Sequence, residues 1–400
     1  MTQPDVGGLM DLLIHPSRRY VAVSLSIALI GGASVVDAQS SRSGAGSIVR
    51  WSVGATPVFD SRASDQSDSA LLLRPRGATR LPDGTVVVAD DGAKNVKFFA
   101  RDGRFVRSAG REGAGPGEYQ LTQLVGACGS ENILLYDGAS QRLTTITQDG
   151  KLASTRLVLI DEPARRVPQS VSCSASKMLV ILTQSSGPIP EGDVAFRSDA
   201  ELRIQSIQGS PSHVLTKVPG PERHRFGNNA GPRPLGKRTL LAVGGDRIYI
   251  GTGDAPSIQV LTFEGTRLPD LRLPFRQERI TSAAIRAYIE RLIALNPRRS
   301  SALIRADYET VDYPEFFPLH GELLVDSEHL LWVEQYRQPG EDRSRWVIID
   351  SFGRQEADIV LPATFRLLEV GAEYVLGTWS DEDDVLHVRM LQLFRGNASR

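Results

Sequence analysis

From Gly77 onward the chain is built of short runs of β-branched and aromatic residues separated by Asp-Gly or glycine-rich turns. In its first unit, Thr85–Ala89, Val96–Phe99 and Arg104–Arg107 have strand length, and Asp83-Gly84, Asp91-Gly92 and Asp102-Gly103 are the turns around them. With an inner run before Asp83, this predicts a four-stranded antiparallel unit. The turn between third and fourth strands recurs at Asp149-Gly150, Gln208-Gly209, Glu264-Gly265 and Phe352-Gly353. Strand-like third runs precede it each time: Leu143–Thr147, Leu202–Ile207, Ile258–Phe263 and Trp346–Ile349. Second strands fall at Val86–Ala89, Ile133–Tyr136, Met178–Leu182, Arg247–Ile250 and Leu330–Val333. Recurrence at such a period indicates a propeller or a solenoid. A sixth unit runs through Phe365–Val370, Tyr374–Thr378 and Val385–Phe394 and lacks a fourth strand, which Ile48–Val58 can supply. Closure by that strand removes an unpaired sheet edge. The expected fold is therefore all-β: a six-bladed β-propeller of four-stranded antiparallel blades, closed by the N-terminal strand.

One segment breaks the pattern. Ile280, Ala284, Ala287, Tyr288, Leu292 and Leu295 recur at three- and four-residue spacing, predicting an amphipathic helix that stops at Pro297. It belongs to an insertion over about 276–312, between blades 4 and 5. Its apolar stripe either packs on the propeller or forms a lid over a ligand.

The stretch Leu81–Tyr119 contains PDGTVVVADDGAKNVKFFARDGRFVRSAGREGAGPGEY. It resembles an NHL-type repeat, with its PDG turn, V-x-D strand end, D-G hairpin and terminal G-x-x-G-x-G-P-G-x-F/Y. The chain as a whole resembles exported six-bladed propellers of NHL or TolB-like type. That resemblance implies a binding platform, with enzymes on some branches of the family.

The N-terminal forty residues follow another logic. Arg18-Arg19 precede the apolar run Tyr20–Ile30, and Val36-Asp37-Ala38 offers a cleavage site before Gln39. Residues 1–38 are expected to be a signal peptide and 39–400 the propeller, placed in the periplasm or outside the cell; an uncleaved anchor is the alternative. Two cysteines, Cys128 and Cys173, sit at equivalent positions of successive repeats, and in an exported chain they read as a disulfide, with two buried thiols as the alternative. Of the 400 residues 41% are hydrophobic, which excludes dominant disorder, and Gly 37 with Pro 23 points to many turns. The formal charge is -1, so no whole-chain field favours nucleic acid or an anionic membrane, and recognition of charge must be local.

Candidate chemistry lies on the face that carries the long connections, around 110–120, 161–169, 183–200 and 219–238 together with the insertion. Donors and cations stand at or before the inner strands: Arg74, Arg76, Gln120, Gln123, Gln169, Lys237, Arg238, His320 and Arg366. The loops add Arg111, Arg165, Arg166, Arg223, His224 and Arg225. Guanidinium groups converging on a channel mouth suit carboxylate, sulfate or phosphate; the alternative is that each is solvated or paired with a neighbouring carboxylate. The expected ligand is a protein, a peptide or an anionic glycan.

Related enzymes would hold a metal in the channel, yet His320 alone stands at the start of an inner strand, and no spacing assembles His213, His224 and His320 into a ligand set. No metal, cofactor or catalytic residue is therefore assigned, and a metal-dependent hydrolase or lyase is the competing reading. Asp381–Asp384 reads as a solvated turn rather than a calcium loop. The glycines of Gly110–Gly117 lack the Lys-Ser/Thr of a phosphate loop. Tyr119, Phe226, Tyr313, Phe316, Phe317, Tyr336 and Trp379 lie in or beside face loops, whereas Trp332 and Trp346 are expected in the core.

Overall fold

The computed structural model describes residues 48–396 except 65–67, 130–131, 159, 161–165, 186–188, 192–193 and 227–228. The expected signal peptide and Arg165 lie outside the described residues. Six antiparallel sheets follow one another along the chain. Blade 1 comprises Pro75–Arg80, Val86–Asp90, Asn95–Phe99 and Phe105–Ala109, and blade 2 comprises Thr122–Gly126, Ile133–Asp137, Arg142–Ile146 and Leu152–Leu157. Blade 3 begins with Arg166–Cys173 and Met178–Ser185, then runs out in two long strands, Ala195–Ser206 and His213–Phe226, and a fifth, Asn229–Pro232. Blade 4 starts at Leu240–Gly244, blade 5 at His320–Val325 and blade 6 at Phe365–Val370.

The inner strands of successive blades touch in order, and that of blade 6 meets that of blade 1, so the sheets form a closed ring. Six hydrophobic clusters occupy the six seams between neighbouring blades. This double-sided covering explains why second strands such as Val86–Asp90 are buried at every position instead of alternating.

The ring closes through its N-terminal segment. Ser52–Asp60 lies antiparallel to Leu386–Phe394 as the outer strand of blade 6, after Val49–Arg50 has paired in parallel with the outer strand of blade 5. Between these two pairings Trp51 is buried, its ring 5.7 Å from that of Trp332. The carbonyl of Asp60 lies over the hairpin of blade 1 at Gly103, whose φ of +88° and close approach leave no room for a Cβ.

Two differences from the sequence reading concern loops. The insertion between blades 4 and 5 holds two helices rather than one, α1 (Ser282–Leu295) and α2 (Ser301–Glu309). Pro297 ends the first as expected, and the short link allows the second to fold back against it. Much of the expected loop 219–238 is strand, because blade 3's last hairpin continues the ladder through Arg223↔Pro232 to Phe226↔Asn229. No helix among the described residues is long and apolar enough to cross a membrane.

Candidate functional site

Helices α1 and α2 do not stand free. Tyr288, Ile289 and Leu292 of α1 and Ile304 and Tyr308 of α2 form a cluster with Leu235, Val311 and Phe317, which bolts the insertion onto the connections leading into blades 4 and 5. Beneath it lies a chamber of about 300 Å³, at the low end of the range for small-molecule sites. Helix α1 contributes Tyr288 and Arg291 to its wall and the link to α2 adds Arg299, the 221–238 connection adds Arg233 and Arg238, and blades 5 and 6 supply His320, Glu322, Glu334, Tyr336, Arg337 and Arg366. Seven Arg and Lys side chains face three glutamates.

The inner and second strands of blade 5 build the polar floor. Their register slips between His320↔Gln335 and Leu323↔Val333, a bulge that sets Gly321 and Glu322 opposite Glu334. A Cβ at Gly321 would stand 2.5 Å from Oε2 of Glu334, so glycine lets that carboxylate lie against the strand where it does. Burial would raise the Glu322 carboxyl, but Arg238, at 2.5 Å, and Arg366 outweigh it and hold Glu322 below the usual range. Burial and the neighbouring Glu322 charge push Glu334 the other way, up to about 7. The Arg238 side chain is 51% accessible. That surface faces the protein-walled chamber, so its ion pair is better shielded than the accessibility suggests.

His320 is 3% exposed. Its Nε2 accepts the Gly253 N–H at 3.1 Å, which puts the ring proton on Nδ1, and Nδ1 has no hydrogen-bond partner. Burial first, then Arg238, lowers its pKa to about 4, so the ring is neutral at physiological pH.

Several cations in the wall are held by the protein's own acceptors. Arg233 bonds the carbonyl and carboxylate of Asp312, Lys237 pairs with Asp254 at 3.2 Å, and Arg299 pairs with Asp307. Arg337 donates to the Ala363 carbonyl at 2.8 Å. Two are less fully matched. The Arg366 side chain makes no hydrogen bond or salt bridge among the described residues and is only attracted from a distance by Glu322 and Glu334, and the buried Nε and Nη2 of Arg291 have no partner. Burial, and then repulsion from Arg337, lowers the Arg291 pKa to about 10.

Of the residues singled out from the sequence, Arg238, His320 and Arg366 meet in this chamber. Lys237 and Tyr336 line it as well, and the other candidate polar residues that the structure describes lie elsewhere. Arg76 stands 3.4 Å from the buried Asp91, which also binds Arg74 and Lys94. Arg111 pairs with Glu118 at 2.7 Å, and Gln120 is exposed with its backbone N–H on Asp137. Arg166 opens the inner strand of blade 3. Arg223 donates to the Ala230 carbonyl and covers the Phe196 ring, Arg225 donates to the Pro190 carbonyl, and His224 is buried in the same strand. Cys128 and Cys173 form a disulfide with Cα atoms 5.4 Å apart, joining blades 2 and 3.

Among the described residues no group of three His, Cys, Asp or Glu is placed to hold a metal ion, so His213, His224 and His320 do not form one site. Asp381 spends its carboxylate on the backbone N–H groups of Asp383 and Val385 and on His387. Arg291, Glu334 and Arg337 escaped the sequence reading. Arg291 was detectable: it sits three residues after Tyr288 and one before Leu292, a charge on the apolar stripe of a helix.

No family model and no curated protein sequence matches the chain. Solved structures resemble it distantly. An exported-protein candidate from Bacteroides fragilis shares 14% identity at a TM-score of 0.47, covering 89% of this chain and 98% of its own. A member of the duf4221 family from Bacteroides vulgatus shares 9% at 0.44, covering 87% and 98%. Virginiamycin B lyase from Staphylococcus aureus shares 11% at 0.39, covering 80% and 94%. The strand order itself establishes a six-bladed propeller, and likenesses this remote carry no chemistry across.

Proposed function

We propose that this protein is an exported propeller that binds an anionic ligand in the chamber beneath α1 and α2. The observation that carries the reading is the Arg291 guanidinium, buried with two N–H groups unpartnered beside a wall that also holds Arg366. Burying an unpaired charge is costly. A bound carboxylate, sulfate or phosphate would relieve that cost through forked, charge-assisted hydrogen bonds. The NHL-like first blade and the charged, apolar and small-residue order of the N-terminus support export after cleavage at Ala38, and the Cys128–Cys173 bond is at home in an oxidising compartment.

The test is thermal denaturation of the mature protein with acetate, sulfate and phosphate. A ligand selective for the native state raises the melting temperature in proportion to its occupancy. At least one anion should do so in the wild type, and the shift should vanish in Arg291→Met. If no anion shifts the transition, or Arg291→Met responds like the wild type, the reading is wrong.

A further inference from the structure

Building on the anion-binding reading, we infer that the ligand is a sugar acid: one uronic-acid unit, with its carboxylate on Arg291 and Arg366 and its hydroxyls read by Glu334, His320 and Tyr336. The argument starts from what a bare anion would meet. A site evolved for sulfate or phosphate would gain nothing from two glutamates on its floor, and Glu322 and Glu334 are brought together there by a bulge. Carboxylates repel an anion but accept hydrogen bonds from hydroxyls, so their presence selects a ligand with an acid group at one end and O–H donors at the other.

The remaining polar atoms fit that division. The buried Nδ1–H of His320 is a donor without a partner, and Tyr336 stands on the same wall. Both are matched to oxygen atoms that act as donor and acceptor, as sugar hydroxyls do. Trp346 and Phe365 supply apolar surface to the same wall, which suits the C–H faces of a pyranose ring. The volume of about 300 Å³ admits one such unit and not a folded peptide segment.

Calorimetric titration of the mature protein with D-galacturonate, D-glucuronate, D-galactose, acetate and phosphate distinguishes the cases. At least one uronate should bind about tenfold or more tightly than acetate, phosphate and galactose, because buried polar groups left unmatched penalise the incomplete ligands. Glu334→Gln should weaken the uronate about tenfold while changing acetate less than about threefold, and Tyr336→Phe, which removes a single oxygen, should weaken the uronate about threefold with no change for acetate. The second variant decides the matter if the first does not fold. Equal binding of acetate or phosphate and uronate overturns the sugar-acid inference and leaves the anion reading standing. Galactose binding as tightly as the uronate, with Arg291→Met unaffected, overturns both.

Discussion

The mouth of the propeller has two unlike halves. On the side of blades 1 and 2 buried aspartates gather the cations: Lys97 lies 3.2 Å from Asp90, and Arg74, Arg76 and Lys94 gather on Asp91. Those aspartates also bind the connecting backbone, Asp90 through the N–H groups of Leu73 and Arg74, Asp91 through that of Thr122, and Asp137 through those of Gln120 and Leu121. Under α1 and α2 the charges are left over. Arg291 and Arg366 have no hydrogen-bonding carboxylate, while Glu322 and Glu334 crowd one another. The first half spends its charge on fixing loops; the second holds it in reserve, a pattern expected where stability has been traded for binding.

The contrast is open to attack by mutation, and the largest effect is expected in the satisfied half. Asp90→Ala should cost about 3–5 kcal/mol in chemical denaturation, since it strands a buried Lys97 and frees several backbone donors, with no change in anion affinity once the fold is restored at low denaturant. Reduction of Cys128–Cys173, which also braces that half, should cost about 2–4 kcal/mol, read as a lower melting temperature with a reductant.

Arg291→Met should behave inversely. The melting temperature should hold or rise, because an unpaired buried charge has been replaced by an apolar chain of similar length, while anion affinity falls about 10- to 100-fold. A variant that loses stability and keeps affinity would make the two halves alike.

The smallest expected effect concerns pH. Glu334 has a folded pKa near 7, raised above its unfolded value by burial, then by Glu322, against Arg337, Arg238 and Arg366. The folded state therefore holds its proton more tightly, and the stability this confers is present below the unfolded value near 4.5 and lost as pH rises through about 7. Glu334→Gln should raise the melting temperature at pH 8 by the equivalent of about 1–3 kcal/mol and change it little at pH 4. Equal shifts at the two pH values would mean that the carboxyl titrates normally.

Much of the architecture was legible because its signals are local. The Asp-Gly hairpins and the β-branched runs between them identify blades one at a time, and the missing fourth strand of blade 6 points to the N-terminal segment by elimination. The chamber was only half legible. Arg238, His320 and Arg366 could be found by their place before or within inner strands, a position the repeat defines. Glu334 could not, because its meeting with Glu322 depends on a register slip that leaves no mark on the hydrophobic pattern. Nor could the pairing of Arg76 with Asp91, a contact between strand ends, be separated from solvation by composition alone.

The way the ring is fastened has a consequence for how the molecule comes into being. Asp60 accepts a hydrogen bond from Arg389, 329 positions later, so a strand made early is among the last to be satisfied. Until the last blade has been made this segment remains an unmated ribbon, and its capture closes the longest loop in the ring. Completion of the last blade and completion of the native ring are thereby one event, and a product that lacks that blade carries its own sticky edge.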